Sequence, residues 1–218
     1  MSRESRKISL MLWAGIALLM ATLLLTFLLA QLRYRVSLGA PLQDLGPVAD
    51  FSLTNQDGRP VSLADLRGHV WVADIIFTRC SGPCLKMTRQ MKELQQALPS
   101  KSDTKLVTLT TDPDFDTPPV LKKRAEQVGA DPTRWTFLTG SKKQISELAV
   151  GSLKLTAIEK KPEEREDPTD LFVHSTIFVV VDRHAHLRGV FQTTGEGIDP
   201  EQAKVAIIAA AKRLERER

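Results

Sequence analysis

The sequence predicts an α/β domain, a sheet flanked by helices, carried behind one N-terminal transmembrane helix. The prediction rests on an uncharged apolar run at Ile8 to Ala30, on later strand-length apolar runs that alternate with segments of helical spacing, and on a cysteine pair where one such strand meets a helix. That strand is Val70 to Phe77, broken only by Asp74, and the only two cysteines of the chain, Cys80 and Cys84, follow it. The chain has 218 residues; with a membrane segment subtracted, the remainder suits one soluble domain with a sizeable core. Its formal net charge of +4 is mild, its cations are scattered among almost as many acids, and only 6% of its residues are aromatic, so the composition argues against nucleic-acid binding.

Ile8 to Ala30 is long enough to cross a bilayer and is bracketed by Arg3, Arg6 and Lys7 before it and Arg33 and Arg35 after it. No clear small-x-small cleavage site follows, so it reads as an uncleaved anchor. The short basic segment 1–7 favours an N-terminus in the cytoplasm and a domain outside it. Arg3-Glu4-Ser5-Arg6 is too short and too acidic for an organelle transit peptide, which favours a bacterial inner membrane with the domain on its periplasmic side, where thiols can oxidise. Residues 31–46, with breakers at Gly39-Ala40-Pro41 and Gly46-Pro47, read as a tether to a domain at 47–218.

Within that domain Val48 to Thr54 reads as a strand, Asn55 to Gly58 as a turn and Arg59 to Ser62 as the return strand. Ser62 to Asp65 has the spacing of a helix start, ended by Gly68 before the central strand. After Cys84, Met87, Met91, Leu94 and Leu98 fall at helical spacing, closed by Pro99. Lys105 to Thr110 is a buried strand, and Thr117-Pro118 starts a helix to about Val128, with Gly129 past its end. Arg134 to Leu138 reads as a strand and Lys142 to Val150 as a helix; the strand-helix order so far favours right-handed crossovers and a largely parallel sheet. Glu159 to Asp170 is charged, holds two prolines and reads as an exposed loop; Val173-His174-Ser175 then opens a strand at Thr176 to Val181. Asp182 to Ala185 turns that strand back into His186 to Phe191, and Asp199-Pro200-Glu201 caps a final helix over Ala203 to Leu214.

A dithiol at a helix N-terminus, where unpaired N–H groups favour thiolate, suits reversible disulfide chemistry or a soft metal ion. A structural disulfide and a pair of inert buried cysteines are the blander alternatives. Asp74, six residues before Cys80, is either a buried carboxylate able to take a proton from the second thiol or a solvated strand residue. His184 and His186 read as solvated turn residues rather than a metal pair, and His69 as an exposed residue without a partner. Asp112, Asp114 and Asp116 lack the glycine and distal Glu of a calcium loop, so Asp112 and Asp116 read as turn and cap residues near the dithiol. Met87 and Met91 lie on the apolar stripe and read as core.

Taken together, the N-terminal anchor, the lead-in at Phe51 to Val72, Phe77-Thr78-x-Cys80-x-x-x-Cys84, Asp112-Pro113 with Asp116-Thr117-Pro118, and His174-Ser175 resemble the Sco/SenC family of membrane-anchored copper proteins. The resemblance covers nearly everything from Asp50 to Leu214. It implies a thioredoxin-like mixed sheet flanked by helices, and a copper site, Cu(I) or Cu(II), made by Cys80, Cys84 and His174. It also implies a metallochaperone role in maturing the binuclear copper centre of a respiratory cytochrome oxidase. The implied partners are the oxidase's copper-centre subunit and a copper donor or thiol reductant. One departure is Cys80-Ser81-Gly82-Pro83-Cys84, the Cys-Gly-Pro-Cys of thioredoxins with a serine inserted, where many family members carry proline after each cysteine. With Asp74, it keeps open a thiol–disulfide oxidoreductase in which Cys80 is the exposed attacking thiolate, Cys84 the resolving thiol and Asp74 the proton acceptor. A redox or copper sensor, with the loop at 159–170 ordering over the site, is a further alternative.

Overall fold

The computed structural model describes residues 3–39, 42–80, 82–165 and 171–217, without the side chains of 3–10, 32–39, 157 and 174. Ser81, the breaker pair Ala40-Pro41, part of the charged loop at 166–170 and the His174 side chain therefore lie outside the described residues. The chain divides into two compact units, 1–41 and 42–218.

The first unit is helix α1, Arg3–Gly39. Its stretch Met11–Gln31 spans 21 residues with mean hydropathy 2.3 and no burial, long and apolar enough to cross a membrane. The expected tether differs in its first part: the helix runs on to Gly39, because no glycine or proline interrupts residues 31–38.

The second unit holds a mixed sheet of seven strands, in the spatial order Pro60–Ser62, Ser52–Asn55, Trp135–Thr139, Lys105–Thr110, Trp71–Ile76, Ile177–Val181, Leu187–Gln192, flanked by helices. A hairpin, β1 (Ser52–Asn55) and β2 (Pro60–Ser62), leads into the short helix α2 (Leu63–Leu66), whose Ser62 and Asp65 form a capping box. Then come β3 (Trp71–Ile76), α3 (Pro83–Ala97), β4 (Lys105–Thr110), α4 (Pro118–Val128), β5 (Trp135–Thr139) and α5 (Lys142–Ser146). The chain closes with β6 (Ala157–Glu159), β7 (Phe172–His174), β8 (Ile177–Val181), β9 (Leu187–Gln192) and α6 (Pro200–Leu214). The sheet is not largely parallel as the element order suggests: parallel pairing is confined to β3–β4 and β4–β5, β8 joins β3 antiparallel, and the β1–β2 hairpin adds to β5 antiparallel. The helices between β3, β4 and β5 are crossovers, whereas β8 and β9 are joined by a tight turn that reverses the chain.

Strand periodicity divides the core. Trp71, Ala73 and Ile75 join Leu63, Ile145 and Leu148 in one cluster, while Val72 and Ile76 join Met87, Met91, Leu94, Leu121 and Ile207 in the other, under α3, α4 and α6. Both clusters draw only on residues from Leu42 onward, so this unit closes its core on itself. Met87 and Met91 are fully buried, as the apolar stripe predicts. Gly129 ends α4 at φ +64, a left-handed cap that glycine adopts without a Cβ penalty.

Two further expectations are corrected. The helix at 142–150 is α-helical only to Ser146 and then widens into a π-helical turn, Glu147–Ser152, which keeps Leu148, Ala149 and Leu153 all on the sheet. The charged stretch from Glu159 is not wholly loop: Glu159 ends β6, which pairs antiparallel with β7, and Pro162–Glu164 forms a 3-10 turn. His174 accordingly ends β7 in a small two-stranded ribbon instead of opening the core strand β8.

Candidate metal centre

The dithiol sits where β3 leaves the sheet. Thr78 donates its N–H (3.1 Å) and its hydroxyl to the carboxylate of Asp116, which also accepts from Thr110 Oγ1 at 2.5 Å. Arg79 donates through Nε (3.0 Å) and Nη2 (2.5 Å) to Asp112 Oδ2 and lies 4.3 Å over the ring of Phe115. The two residues before Cys80 are thus fixed by carboxylates from the loop after β4. Asp116 is fully buried; burial raises its carboxyl above the ordinary value of 3.8, and the hydrogen bonds from Thr110 and Thr78 only partly offset this. Asp112 and Asp116 therefore do more than turn and cap, and the N-cap of α4 is Thr117.

Cys80 turns in with its N–H on Phe77 O (3.3 Å), and Cys84 follows Pro83 in the first turn of α3. Their exposures are 8% and 1%, and they are not joined in a disulfide. The hydrogen bond with Cys80 pushes the Cys84 thiol far above the ordinary value of 9.0, burial adds to this, and the charge of Asp74 pushes the same way. This corrects two expectations. The helix terminus does not make Cys84 a thiolate here, because burial and a neighbouring thiol outweigh the dipole, and Cys80 is not an exposed nucleophile.

Asp74 has no exposed surface and lies on the same face of β3 as Val72 and Ile76, the face that carries α3 and the dithiol. Thr108 Oγ1 donates to its Oδ1 at 2.7 Å, and Trp135 Nε1 donates to Thr108 Oγ1 at 2.9 Å. It is therefore the buried carboxylate and not the solvated one.

The strand carrying His174 is brought to this loop by aromatic packing. Phe172, two residues before His174, meets Phe77, three residues before Cys80, edge to face at 5.1 Å between ring centroids. Lys142 reaches both Asp114 (3.0 Å) and Glu159 (3.1 Å), tying α5 to the loop after β4 and to β6. Lys142, Phe115, Arg79 and Phe172 line a cavity of about 410 Å³ beside the dithiol loop. Among the described residues no three His, Cys, Asp or Glu side chains are grouped as a metal site. The donor set that suits soft copper is the dithiol plus an imidazole.

The other histidines stand apart. His184 is exposed in the β8–β9 turn; His186 Nδ1 is 2.8 Å from Asp44 Oδ2 and His69 Nδ1 is 2.7 Å from Asp103 Oδ2, so His69 has the partner its sequence context did not reveal. Sequence reasoning also missed Thr108, Thr110, Trp135, Lys142 and Phe172. Only Phe172 carried a signal, an aromatic two residues before the candidate ligand.

Comparison with known proteins agrees with this architecture. A SCO1 protein homolog of Bacillus subtilis (strain 168) is 41% identical over 136 residues, 62% of this chain and 67% of the relative. The structure of BsSco, described as having a disulfide switch and as a member of the Sco family of cytochrome c oxidase assembly proteins, matches with 34% identity and a TM-score of 0.67. That match covers 81% of this chain and 98% of BsSco. Bradyrhizobium japonicum ScoI, solved with copper bound, shares the fold at 22% identity and a TM-score of 0.60, over 78% of this chain and 98% of its own. The family model described as SCO1/SenC matches residues 42–211, the whole sheet with its dithiol loop and β6–β7 ribbon, and the chain belongs to the SCO1/SenC family.

Proposed function

We propose that this chain carries one copper ion on Cys80, Cys84 and His174 and passes it on during maturation of the copper centre of a respiratory cytochrome oxidase. The observation that carries the reading is the Phe77–Phe172 contact, which ties the strand of the histidine to the loop of the cysteines. Two thiolates suit Cu(I), and an added imidazole extends the site to Cu(II). The Cys84 thiol is pushed well above its ordinary value, so copper has to displace that proton, and uptake at Cys84 releases it. The copper bound to the Bradyrhizobium japonicum relative and the assembly role attributed to the family of BsSco support the cargo and the destination. The apolar stretch Met11–Gln31 supports a single-pass anchor with residues 1–7 in the cytoplasm and the domain on the periplasmic side of a bacterial inner membrane. The oxidase's copper-centre subunit is the recipient, and a copper donor or thiol reductant acts before it.

A second reading, thiol–disulfide exchange on the cysteines of a partner, is favoured by Asp74 on the dithiol face and by the disulfide switch of BsSco. Cys80 would attack, Cys84 resolve, and Asp74 take the Cys84 proton. Copper competition on reduced residues 42–218 separates the readings. In the copper reading the parent binds one copper tightly and His174→Ala weakens Cu(II) by an order of magnitude or more, about 1.4 kcal/mol at least. A parent that holds copper no better than a loose dithiol, indifferent to His174, would leave the pair as a redox couple.

A further inference from the structure

The end of the sheet opposite the dithiol carries a basic depression. It lies a strand's length from Cys80, roughly 17 Å at ~3.3 Å per residue along β3. The loop after α3, the β8–β9 turn and the last turn of α6 enclose a cavity of about 540 Å³ there, lined by Lys101, Arg183, Lys212 and Arg216. None of these cations has a carboxylate within ion-pair distance among the described residues. The two acids of the cavity are engaged elsewhere. Asp103 holds His69 (2.7 Å) and Lys105 (4.0 Å). Glu215 Oε1 accepts from Ser102 Oγ (2.5 Å), Thr104 N (3.1 Å) and Thr104 Oγ1 (2.7 Å). Arg183 is half-buried, and its Nε has no hydrogen-bond partner. Four cations against two carboxylates leave the depression net positive, with no direct ion pair among the described residues to any of the four, and an anion with several oxygens relieves the repulsion among them.

We infer that this depression binds the phosphodiester headgroups of anionic lipids. The source is argued from where the chain joins the domain. Leu45 N–H donates to Leu187 O (2.8 Å), Leu187 N–H to Gly46 O (2.9 Å) and Val48 N–H to Ala185 O (2.8 Å), so the entering segment lies along the same turn that supplies Arg183. Arg188 Nη2 holds Leu42 O at 3.0 Å. Only residues 32–41 separate this point from the end of the apolar span at Gln31. Headgroups are therefore the phosphate source within reach, an argument that rests on the membrane-anchor reading and not on the copper site. Headgroup binding at this pole turns the dithiol away from the bilayer.

The test is co-sedimentation of residues 42–218 with vesicles of mixed phosphatidylglycerol and phosphatidylcholine, against phosphatidylcholine alone, at low and high salt. Binding is expected only to the anionic vesicles and is lost at high salt. Lys101→Gln/Lys212→Gln/Arg216→Gln, which spares the half-buried Arg183, is expected to weaken it by roughly fivefold per charge, about a hundredfold in all. A control of equal charge, Lys86→Gln/Arg89→Gln/Lys123→Gln, is expected to weaken it far less; an equal loss would overturn the site in favour of general positive charge. No binding to anionic vesicles also overturns it, and titration with inorganic phosphate that saturates without any vesicle preference overturns the lipid assignment. Copper affinity of each variant reports the fold and the copper reading separately.

Discussion

Replacing Phe172 by alanine isolates the contact on which a three-ligand site depends. The side chain is 8% exposed and meets Phe77 edge to face at 5.1 Å. Removing the ring returns on the order of 100 Å² of apolar contact to water, about 3 kcal/mol, and deletes an aromatic pair worth about 1 kcal/mol. Of the other ties, Lys142 to Glu159 is more than half exposed on both sides (53% and 52%) and contributes roughly 0 to 1 kcal/mol, and Leu171 packs only partly buried against the core. The ribbon therefore leaves the domain far more readily in Phe172→Ala, and the apparent affinity of any ligand that needs it docked falls with the docked fraction. Cu(II) affinity is expected to fall by about fivefold if only the ring pair matters and by roughly a hundredfold if the whole burial is lost. Cu(I), held by the dithiol, is expected to change by less than about threefold. The assay is chelator competition in both oxidation states on the parent, Phe172→Ala, His174→Ala and the double variant. If Phe172 acts through His174, the double variant matches His174→Ala. Equal losses for Cu(I) and Cu(II), or additive losses in the double variant, would refute the reasoning.

Two further outcomes follow from the buried carboxylates. Asp74→Asn keeps an acceptor for Thr108 but removes a negative charge that helps hold the Cys84 proton, so the Cys84 thiol is expected to titrate at lower pH. Alkylation rate against pH reads this, and a profile that stays put or moves up counts against the coupling. Asp116 has a folded-state pKa raised above 3.8 by burial, so its protonated form is the one folding prefers. Its contribution to stability is fully present below 3.8 and is lost as pH rises through the raised value. Denaturant unfolding of the parent and Asp116→Asn from about pH 4 to about pH 7 should show the parent losing stability relative to the variant as pH rises; a relative gain would contradict the burial of that carboxyl.

Local pattern was enough for the elements and not for their company. Cys80 and Cys84 were legible because a β-branched run ends and a helix begins around them, and Thr117-Pro118 and Gly129 bound α4 where cap chemistry puts them. The breakers at Gly39 and Pro41 mark a tether over 31–46 in the sequence pattern, whereas the uninterrupted residues 31–38 carry the helix on to Gly39. His174 was placed at the start of a core strand because the apolar run after it dominates the pattern; a ribbon held by pairing to Ala157 leaves no periodic mark.

The sequence by itself determined the apolar span, the order of the strands and helices of the main sheet, and the dithiol at a strand–helix seam, because each is written in residues adjacent along the chain. Only the tertiary structure decided the rest. It decided that Asp74 is buried on the dithiol face, that Thr78 and Arg79 are held by Asp116 and Asp112 from another loop, and that Phe172 brings the His174 strand to Phe77. It also decided that both thiols are buried and that the Cys84 thiol is pushed above its ordinary value where a helix N-terminus alone would favour thiolate. The physical reason is common to all of these. Burial, pairing across dozens of residues and the electrostatics they create depend on which faces meet, and a sequence pattern records a face without naming its neighbour.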